Sequence, residues 1–217
     1  MVPSAKQRMK GKPTLGIHWL ASLPVPFTFD AFLDPTGAPV EIEFGTGRGA
    51  FLCQEAASRP HTRFLGIDYD SAYLHVAARR LHVAGCRNVA LFFGHFECLV
   101  SELPPSSIQA FHIYFPDPWH KKRHTARRVI RPDLLHWMHH ALSPGGRIHL
   151  RTDVVPLYEE WQTELAAVSA AFDIVESFVY TSIPRPDWHP TNYERRFLED
   201  GLPCHAITVR KREAPAT

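Results

Sequence analysis

The sequence predicts a doubly wound α/β fold, with a mostly parallel seven-stranded sheet and an antiparallel hairpin at its C-terminal edge. Three observations predict it. Strand-like and helix-like segments alternate from Val40 to Leu165, as in a parallel sheet covered on both faces. Glu43, Asp68, Asp117 and Asp153 each fall at or just past a predicted strand end, the rim where such sheets bind ligands. The last two predicted strands have no helix predicted between them, which suggests the hairpin.

Residues 1–37 are rich in Pro and Gly and read as a lead-in arm, with one short helix near Asp30 to Leu33. Residues 38–217 read as one domain. Val40 to Phe44 is the first strand, followed by Gly45-Thr46-Gly47-Arg48-Gly49 and a helix from Ala50 to Ser58. The second strand, Arg63 to Ile67, ends at Asp68. An amphipathic helix runs from Ser71 to about Ala84, its apolar side formed by Tyr73, Leu74, Ala77, Ala78 and Leu81. Gly85 ends it, because glycine enters the left-handed region without steric cost.

Val89 to Phe93 is the third strand and Phe96 to Leu103 a short helix. The fourth strand, Gln109 to Phe115, runs into Pro116-Asp117-Pro118-Trp119. Pro132 opens the next helix at a first-turn position that suits proline. Pro144-Gly145-Gly146 reads as a turn and Arg147 to Leu150 as the fifth strand. Asp153 leads into a helix through Tyr158, Trp161 and Leu165. Ile174 to Tyr180 and Ala206 to Arg210 complete the sheet, around a Pro-rich loop that contains Thr191-Asn192-Tyr193-Glu194.

The chain has 217 residues, 45% of them hydrophobic, enough for one substantial core. Its net charge of +2 means that contact with a nucleic acid must come from local patches. Four scattered cysteines without a CxxC pair argue against a disulfide framework or a structural zinc site. His120 and His124 have metal-compatible spacing, but they sit in a basic loop with no carboxylate or thiol nearby, so no metal is expected. No apolar run has the length of a membrane span. The basic stretch Lys6 to Lys12 lacks the apolar core of a secretory signal, so a cytoplasmic protein is expected.

Two stretches carry chemistry. The first is Glu43 with the alternating Gly45, Gly47 and Gly49, a loop that lets a ligand approach the main chain. Asp68, at the end of the next strand, can accept hydrogen bonds from two ribose hydroxyls. A dinucleotide fits the pattern Gly45-x-Gly47-x-x-Ala50; S-adenosylmethionine fits the acid followed by alternating glycines. A pyrophosphate would meet like charge at Glu43, whereas a sulfonium or ammonium would be favoured there, so S-adenosylmethionine is preferred.

The second stretch is Phe111 to Arg131. Prolines on both sides of Asp117 stiffen its loop, Trp119 adds a stacking surface, and Lys121, Lys122, Arg123, Arg127, Arg128 and Arg131 follow with no acid among them. A rigid carboxylate, a flat ring and a run of cations suit a planar base surrounded by phosphates. Taken singly, the same features are those of an ordinary turn and a solvated basic face.

With these residues in hand, the chain resembles the bacterial tRNA (guanine-N7-)-methyltransferase family over roughly residues 38 to 212. The resemblance rests most on Phe115-Pro116-Asp117-Pro118-Trp119-His120-Lys121, joined by Glu43 and its glycines, Gly66-Ile67-Asp68, Thr152-Asp153 and Thr191-Asn192-Tyr193-Glu194. It implies a class I methyltransferase fold, S-adenosylmethionine as methyl donor, and the guanine at position 46 of the tRNA variable loop as acceptor. It also implies that Glu43, Gly45, Gly47 and Asp68 hold the cofactor, that Asp117 is catalytic, and that Lys121, Asp153 and Thr191 to Glu194 contact the substrate. His95 stands where the family usually has Asp or Asn beside the adenine. The protein is expected as a monomer or homodimer.

Guanine N7 carries a lone pair in the neutral base, so its methylation needs positioning and charge support rather than a strong base. Asp117 is therefore expected nearest the chemistry, with Asp153 and Glu194 orienting the base. The plainer alternatives are a helix N-cap for Asp153, a capping-box or surface acid for Glu194, an ordinary loop hydroxyl for Thr191 and packing for Tyr193. Rival functions are a methyltransferase acting on an exocyclic amine, a nicotinamide oxidoreductase, and a non-catalytic tRNA-binding module.

Overall fold

The computed structural model describes residues 17–19, 38–118 and 128–213. The expected helix near Asp30 lies outside them, as do Trp119, His120, Lys121, Lys122, Arg123, His124 and Arg127. The described elements are β1 (Ile17–Trp19), β2 (Val40–Phe44), α1 (Ala50–Ser58), β3 (Arg63–Asp68), α2 (Ser71–Val83), β4 (Val89–Phe93), α3 (Glu97–Val100) and β5 (Ile108–Tyr114). They continue with α4 (Pro132–Ala141), β6 (Leu142–Thr152), α5 (Val155–Ala167), β7 (Phe172–Tyr180), α6 (Asn192–Glu199) and β8 (Cys204–Lys211).

The strands form one eight-stranded sheet in the order β1-β4-β3-β2-β5-β6-β8-β7. The first six pair in parallel, and β8 pairs antiparallel with both β6 and β7. The expected architecture is therefore present with two corrections. The sheet has eight strands rather than seven, because β1, in the segment read as an arm, pairs with Leu91–Phe93. The two C-terminal strands are separated by a helix, α6, that the loop reading missed. A Thr-x-x-Glu capping box at Thr191 and Glu194 starts this helix.

The direction of the chain reverses between β2 and β5, whose first crossovers run to opposite sides of the sheet, and this places a cleft beyond their C-terminal ends. One face carries Ile42, Phe44, Phe111, Ile113, Ile148, Leu150, Ile207 and Val209, packed against α4 and α5 through Leu135, Met138, Leu157 and Trp161. The other face packs Phe51, Leu52, Leu74 and Ala77 of α1 and α2 against Phe64, Leu91 and Tyr114.

β2 shows how an alternating sequence becomes a fully buried strand. Its apolar residues face the α4/α5 side, and Glu41 and Glu43 face α1, yet all five residues are buried. Burial of Glu41 is offset by partners. Arg59 grips it with two hydrogen bonds of 2.7 Å, and His112 Nε2 lies 2.8 Å away. The polar row continues along the sheet, with His112 stacked on His149 at 5.1 Å and His149 Nδ1 3.2 Å from the Thr208 hydroxyl.

Two further differences have local causes. Strand β5 ends at Tyr114 rather than Phe115 because Phe115 adopts φ 52, a left-handed conformation that breaks a strand and is costly for a bulky residue. Pro144-Gly145-Gly146 sits inside β6 as an irregularity. Ile108 pairs with Leu142 but Ala110 already pairs with Arg147, and Gly145 takes φ 70 where the extra residues bulge out.

Candidate active site

The glycine loop leaves β2 and folds over the end of β3. The backbone N–H groups of Gly45 and Thr46 both donate to the Ile67 carbonyl, at 2.9 and 3.1 Å. Gly47 donates to Asp68 Oδ2 at 2.7 Å, and Asp70 N–H donates to Asp68 Oδ1 at 2.8 Å. Asp68 thus ties the loop to β3 with both carboxylate oxygens, each of which keeps a lone pair for another donor.

Gly49 begins α1 with φ 67, and a Cβ placed there would stand 2.8 Å from the Ala77 Cβ. Only glycine lets α1 start this close to α2. A Cβ at Gly47 (φ 53) would instead meet no heavy atom nearer than 3.9 Å. The loop at that point faces open space, where a ligand can approach the main chain.

Glu43 lies deeper than the sequence suggested. It is buried beneath the loop and accepts a hydrogen bond from Thr46 Oγ1 at 3.0 Å. Burial raises its pKa well above the ordinary value, the charges of Asp68 and Glu55 add to this, and Thr46 and Arg151 oppose it. Glu43 is therefore not an open negative charge at the rim, and the charge argument for a sulfonium rests on Asp68. Burial raises Asp68 as well, opposed by the N–H groups of Asp70 and Gly47.

Asp117 is exposed, and its Oδ2 accepts from the Tyr69 hydroxyl at 3.3 Å. Tyr69 follows Asp68 directly, so the proline-flanked loop meets the glycine-loop rim through one side chain. Phe115 makes this possible. Its N–H donates to the Arg151 carbonyl at 2.8 Å, its left-handed backbone turns the chain out of β5, and its ring packs 5.9 Å from Phe197. The other face of this link is His95, exposed at the end of β4 and stacked on Tyr69 with ring centroids 5.6 Å apart. Asp117 pushes the Tyr69 phenol upward in pKa, after burial.

Asp153 follows β6 and is half-buried. It does not cap α5. The α5 N-cap is Val154, without a side-chain cap bond, and the Val154 N–H donates to the Thr152 hydroxyl at 3.1 Å. Beside it lies His205, which sequence reading missed. His205 is paired across the sheet with Thr152 and packed 4.7 Å from the Tyr158 ring. Both its ring nitrogens are buried without a hydrogen-bond partner among the described residues. Nothing local in the sequence singles out this histidine, since its position depends on the register of β6 and β8.

Glu194 proves to be interior. It is 0% exposed, and donors of the chain fill both carboxylate oxygens. Tyr180 Oη donates to Oε1 at 2.8 Å and Trp188 Nε1 donates to the same oxygen at 2.5 Å, while Arg151 Nη1 and Thr191 N donate to Oε2 at 3.0 and 3.2 Å. It has no free edge for a base, and the expected base-orienting contact is corrected to the capping-box alternative. Arg151 lies over the rings of Trp188 and Tyr114, at 3.6 and 4.1 Å. Missed by sequence reading, Arg151 is the hub of this knot. The segment it anchors is also tied to α1, because Gln54 Nε2 donates to the Pro190 carbonyl at 3.0 Å and His189 Nδ1 lies 2.9 Å from Glu55. Thr191 caps α6, its hydroxyl accepting from Glu194 N–H at 3.1 Å. Asn192 opens α6 and Tyr193 stands exposed on its first turn.

The basic run is less free than it reads. Arg128 pairs with Glu160 at 2.7 Å, and Arg131 pairs with Asp133 at 2.8 Å and reaches Glu97 at 3.7 Å. Among the described residues no group of three or more His, Cys, Asp or Glu could hold a metal ion, and no helix is long and apolar enough to cross a membrane.

Comparison with known proteins follows the same lines. Residues 37–207 match the family described as "Putative methyltransferase". The chain is 33% identical to a tRNA (guanine-N(7)-)-methyltransferase of Thiobacillus denitrificans over 177 residues, covering 81% of this chain and 76% of that protein. It is 32% identical over 191 residues to the protein of the same name from Ralstonia nicotianae, covering 87% and 74%. Among solved structures, the 16S rRNA methyltransferase KamB superposes with a TM-score of 0.60 at 18% identity, covering 81% of this chain and 88% of that one. A 16S rRNA (adenine(1408)-N(1))-methyltransferase solved with SAM superposes with a TM-score of 0.56 at 14% identity, covering 83% and 89%. These likenesses show a shared class I methyltransferase fold. With its fold, its rim of acids and its relatives in agreement, the chain belongs to the tRNA (guanine-N(7)-)-methyltransferase family.

Proposed function

We propose that the protein transfers a methyl group from S-adenosylmethionine to N7 of guanine 46 in the variable loop of tRNA. The observation that carries this reading is the exposed Asp117 carboxylate, held by Tyr69 within one residue of Asp68. A cofactor-binding acid and a free acid thereby share one rim.

The residues present fit the cofactor. Gly47 opens the main chain to a ligand, Asp68 retains lone pairs for ribose hydroxyls, and the His95 ring, stacked on Tyr69, offers an exposed flat edge for adenine. The cofactor supplies an electrophilic methyl group on a good leaving group. Asp117 accepts from guanine N1–H and the exocyclic amine, which fixes the purine and offsets the positive charge that grows on it as N7 is alkylated. Asp153, without a hydrogen-bond partner among the described residues, is the second free acid of the rim and orients the base from the β6 side. Tyr193 and Asn192 contact the substrate, presented by the knot around Glu194. Lys121 takes a phosphate without reading sequence.

An acid at position 117 also favours N7 over an exocyclic amine. The amine is a hydrogen-bond donor that a carboxylate would hold, not a nucleophile that it would release. The test is to incubate the protein with labelled S-adenosylmethionine and unmodified tRNA and to map the label. One site at guanine 46, cleaved by aniline after reduction, is the expected product. Label that resists that cleavage would favour the exocyclic reading.

A further inference from the structure

Arg48 is exposed at the outer turn of the glycine loop and has no acidic partner among the described residues. Its guanidinium lies 5.5 Å from the centroid of the Tyr73 ring, on the first turn of α2. Tyr73 in turn interacts through its hydroxyl with Tyr193, which is 57% exposed on the first turn of α6, and the charge of Arg48 reaches Tyr193 as well. Three elements distant in sequence thus converge outside the cofactor loop on one cation and two phenols.

The surroundings make the cation's freedom informative. Glu43 is turned inward under the loop, and both Asp68 oxygens are engaged by backbone N–H groups. Glu55 and Glu41 are claimed by Arg59. Among the described residues Arg48 forms no ion pair; its guanidinium meets the Tyr73 ring and its side chain is exposed. An arginine fork of this kind matches a phosphate bidentately, and a tyrosine pair beside it offers hydroxyls and a face for stacking.

We infer that Arg48, Tyr73 and Tyr193 form a docking site for the phosphodiester beside the target guanosine. In this site Arg48 takes the phosphate oxygens and the two tyrosines line the path of the displaced strand. The inference deepens the proposed function and rests on tRNA being the substrate. It assigns the mouth of the cofactor loop a second task, gripping the RNA backbone next to the base that enters the rim. A methionine carboxylate is the competing ligand for Arg48, and the test separates the two.

The experiment measures dissociation constants of the full chain for an unmodified tRNA transcript across a salt series, and for S-adenosylmethionine by calorimetry. It uses wild type, Arg48→Gln, Arg48→Lys and Tyr73→Phe. Arg48→Gln is expected to weaken tRNA binding roughly tenfold and to lower the slope of log affinity against log salt by about one. Arg48→Lys keeps the slope, because the charge remains, and Tyr73→Phe gives a smaller loss. Cofactor affinity stays within about twofold in all three, since the proposed ligand is RNA rather than cofactor. Wild-type tRNA affinity and slope in Arg48→Gln would overturn the inference, and so would a loss of cofactor affinity equal to the loss for tRNA. If the wild type methylates tRNA guanine while Arg48→Gln binds tRNA normally, this inference alone fails. If the wild type neither binds nor methylates tRNA, the proposed function fails with it.

Discussion

Two neighbouring regions beyond the strand ends use the same kinds of residue to opposite effect. Around Glu194, a fully buried carboxylate accepts from a guanidinium, a phenol, an indole and a backbone N–H, which together fill both of its oxygens. Around Asp117, a carboxylate, a phenol and an imidazole are joined only by one hydrogen bond and one ring stack, and all three are exposed. The first region is architecture: a saturated group has nothing left to offer a substrate, and removing one member strands its partners in a dry interior. The second is where chemistry can happen, because unsatisfied groups at the surface cost little until a ligand arrives.

The contrast breaks first at Glu194. Glu194→Ala leaves the Arg151 guanidinium buried without its counter-charge, and an expected loss of about 3–5 kcal/mol follows, measured by urea unfolding. A loss under about 1 kcal/mol would mean that the knot contributes no more than a surface pair.

A finer comparison sharpens the same lesson inside β2. Burial alone would raise the carboxyl of Glu41, but His112 and Arg59 bring it down to about 2. Glu43, two residues on, has no such cation in contact and is raised well above the ordinary value. The signs follow by linkage. Glu41 contributes stability present above the ordinary carboxylate pKa and lost as pH falls toward about 2. Glu43 contributes stability present below the ordinary value of 4.5 and lost as pH rises through its higher folded pKa. Glu43→Gln is therefore expected to gain stability relative to wild type between pH 5 and pH 8, as followed by unfolding curves at both. A relative stability independent of pH would show that Glu43 is ionised in the fold like an ordinary carboxylate.

The smallest effect belongs to Arg128. Because Glu160 already claims it, Arg128→Gln is expected to leave the salt dependence of tRNA binding unchanged and to cost at most about 1 kcal/mol of stability. A salt slope reduced by about one would return Arg128 to the phosphate-binding run that its sequence neighbours suggest.

Much of the fold was legible because periodicity and glycine placement are local. The parallel strands from Val40 onward, the helix from Ser71 and the turn at Gly85 need no knowledge of partners. What was illegible depends on partners. β1 becomes a strand only by pairing with β4. Helix α6 was hidden because its start falls in a Pro-rich stretch, although the Thr191-x-x-Glu194 spacing was a usable sign. In the site, Asp68 and Asp117 could be placed on one rim from strand ends alone. The inward turn of Glu194 could not, since Arg151, Tyr180 and Trp188 reach it from separate segments. The pairing of Arg128 and the stranded His205 depend likewise on where α5 and β8 come to rest.

The central claim is that the open acid, and not the buried one, serves the methyl transfer. The most direct measurement is the single-turnover rate of Asp117→Asn at saturating cofactor and tRNA, with its melting temperature alongside. The expected result is a rate lowered by about 10²–10³-fold with melting unchanged within about 2 °C. A rate near that of wild type would contradict the account.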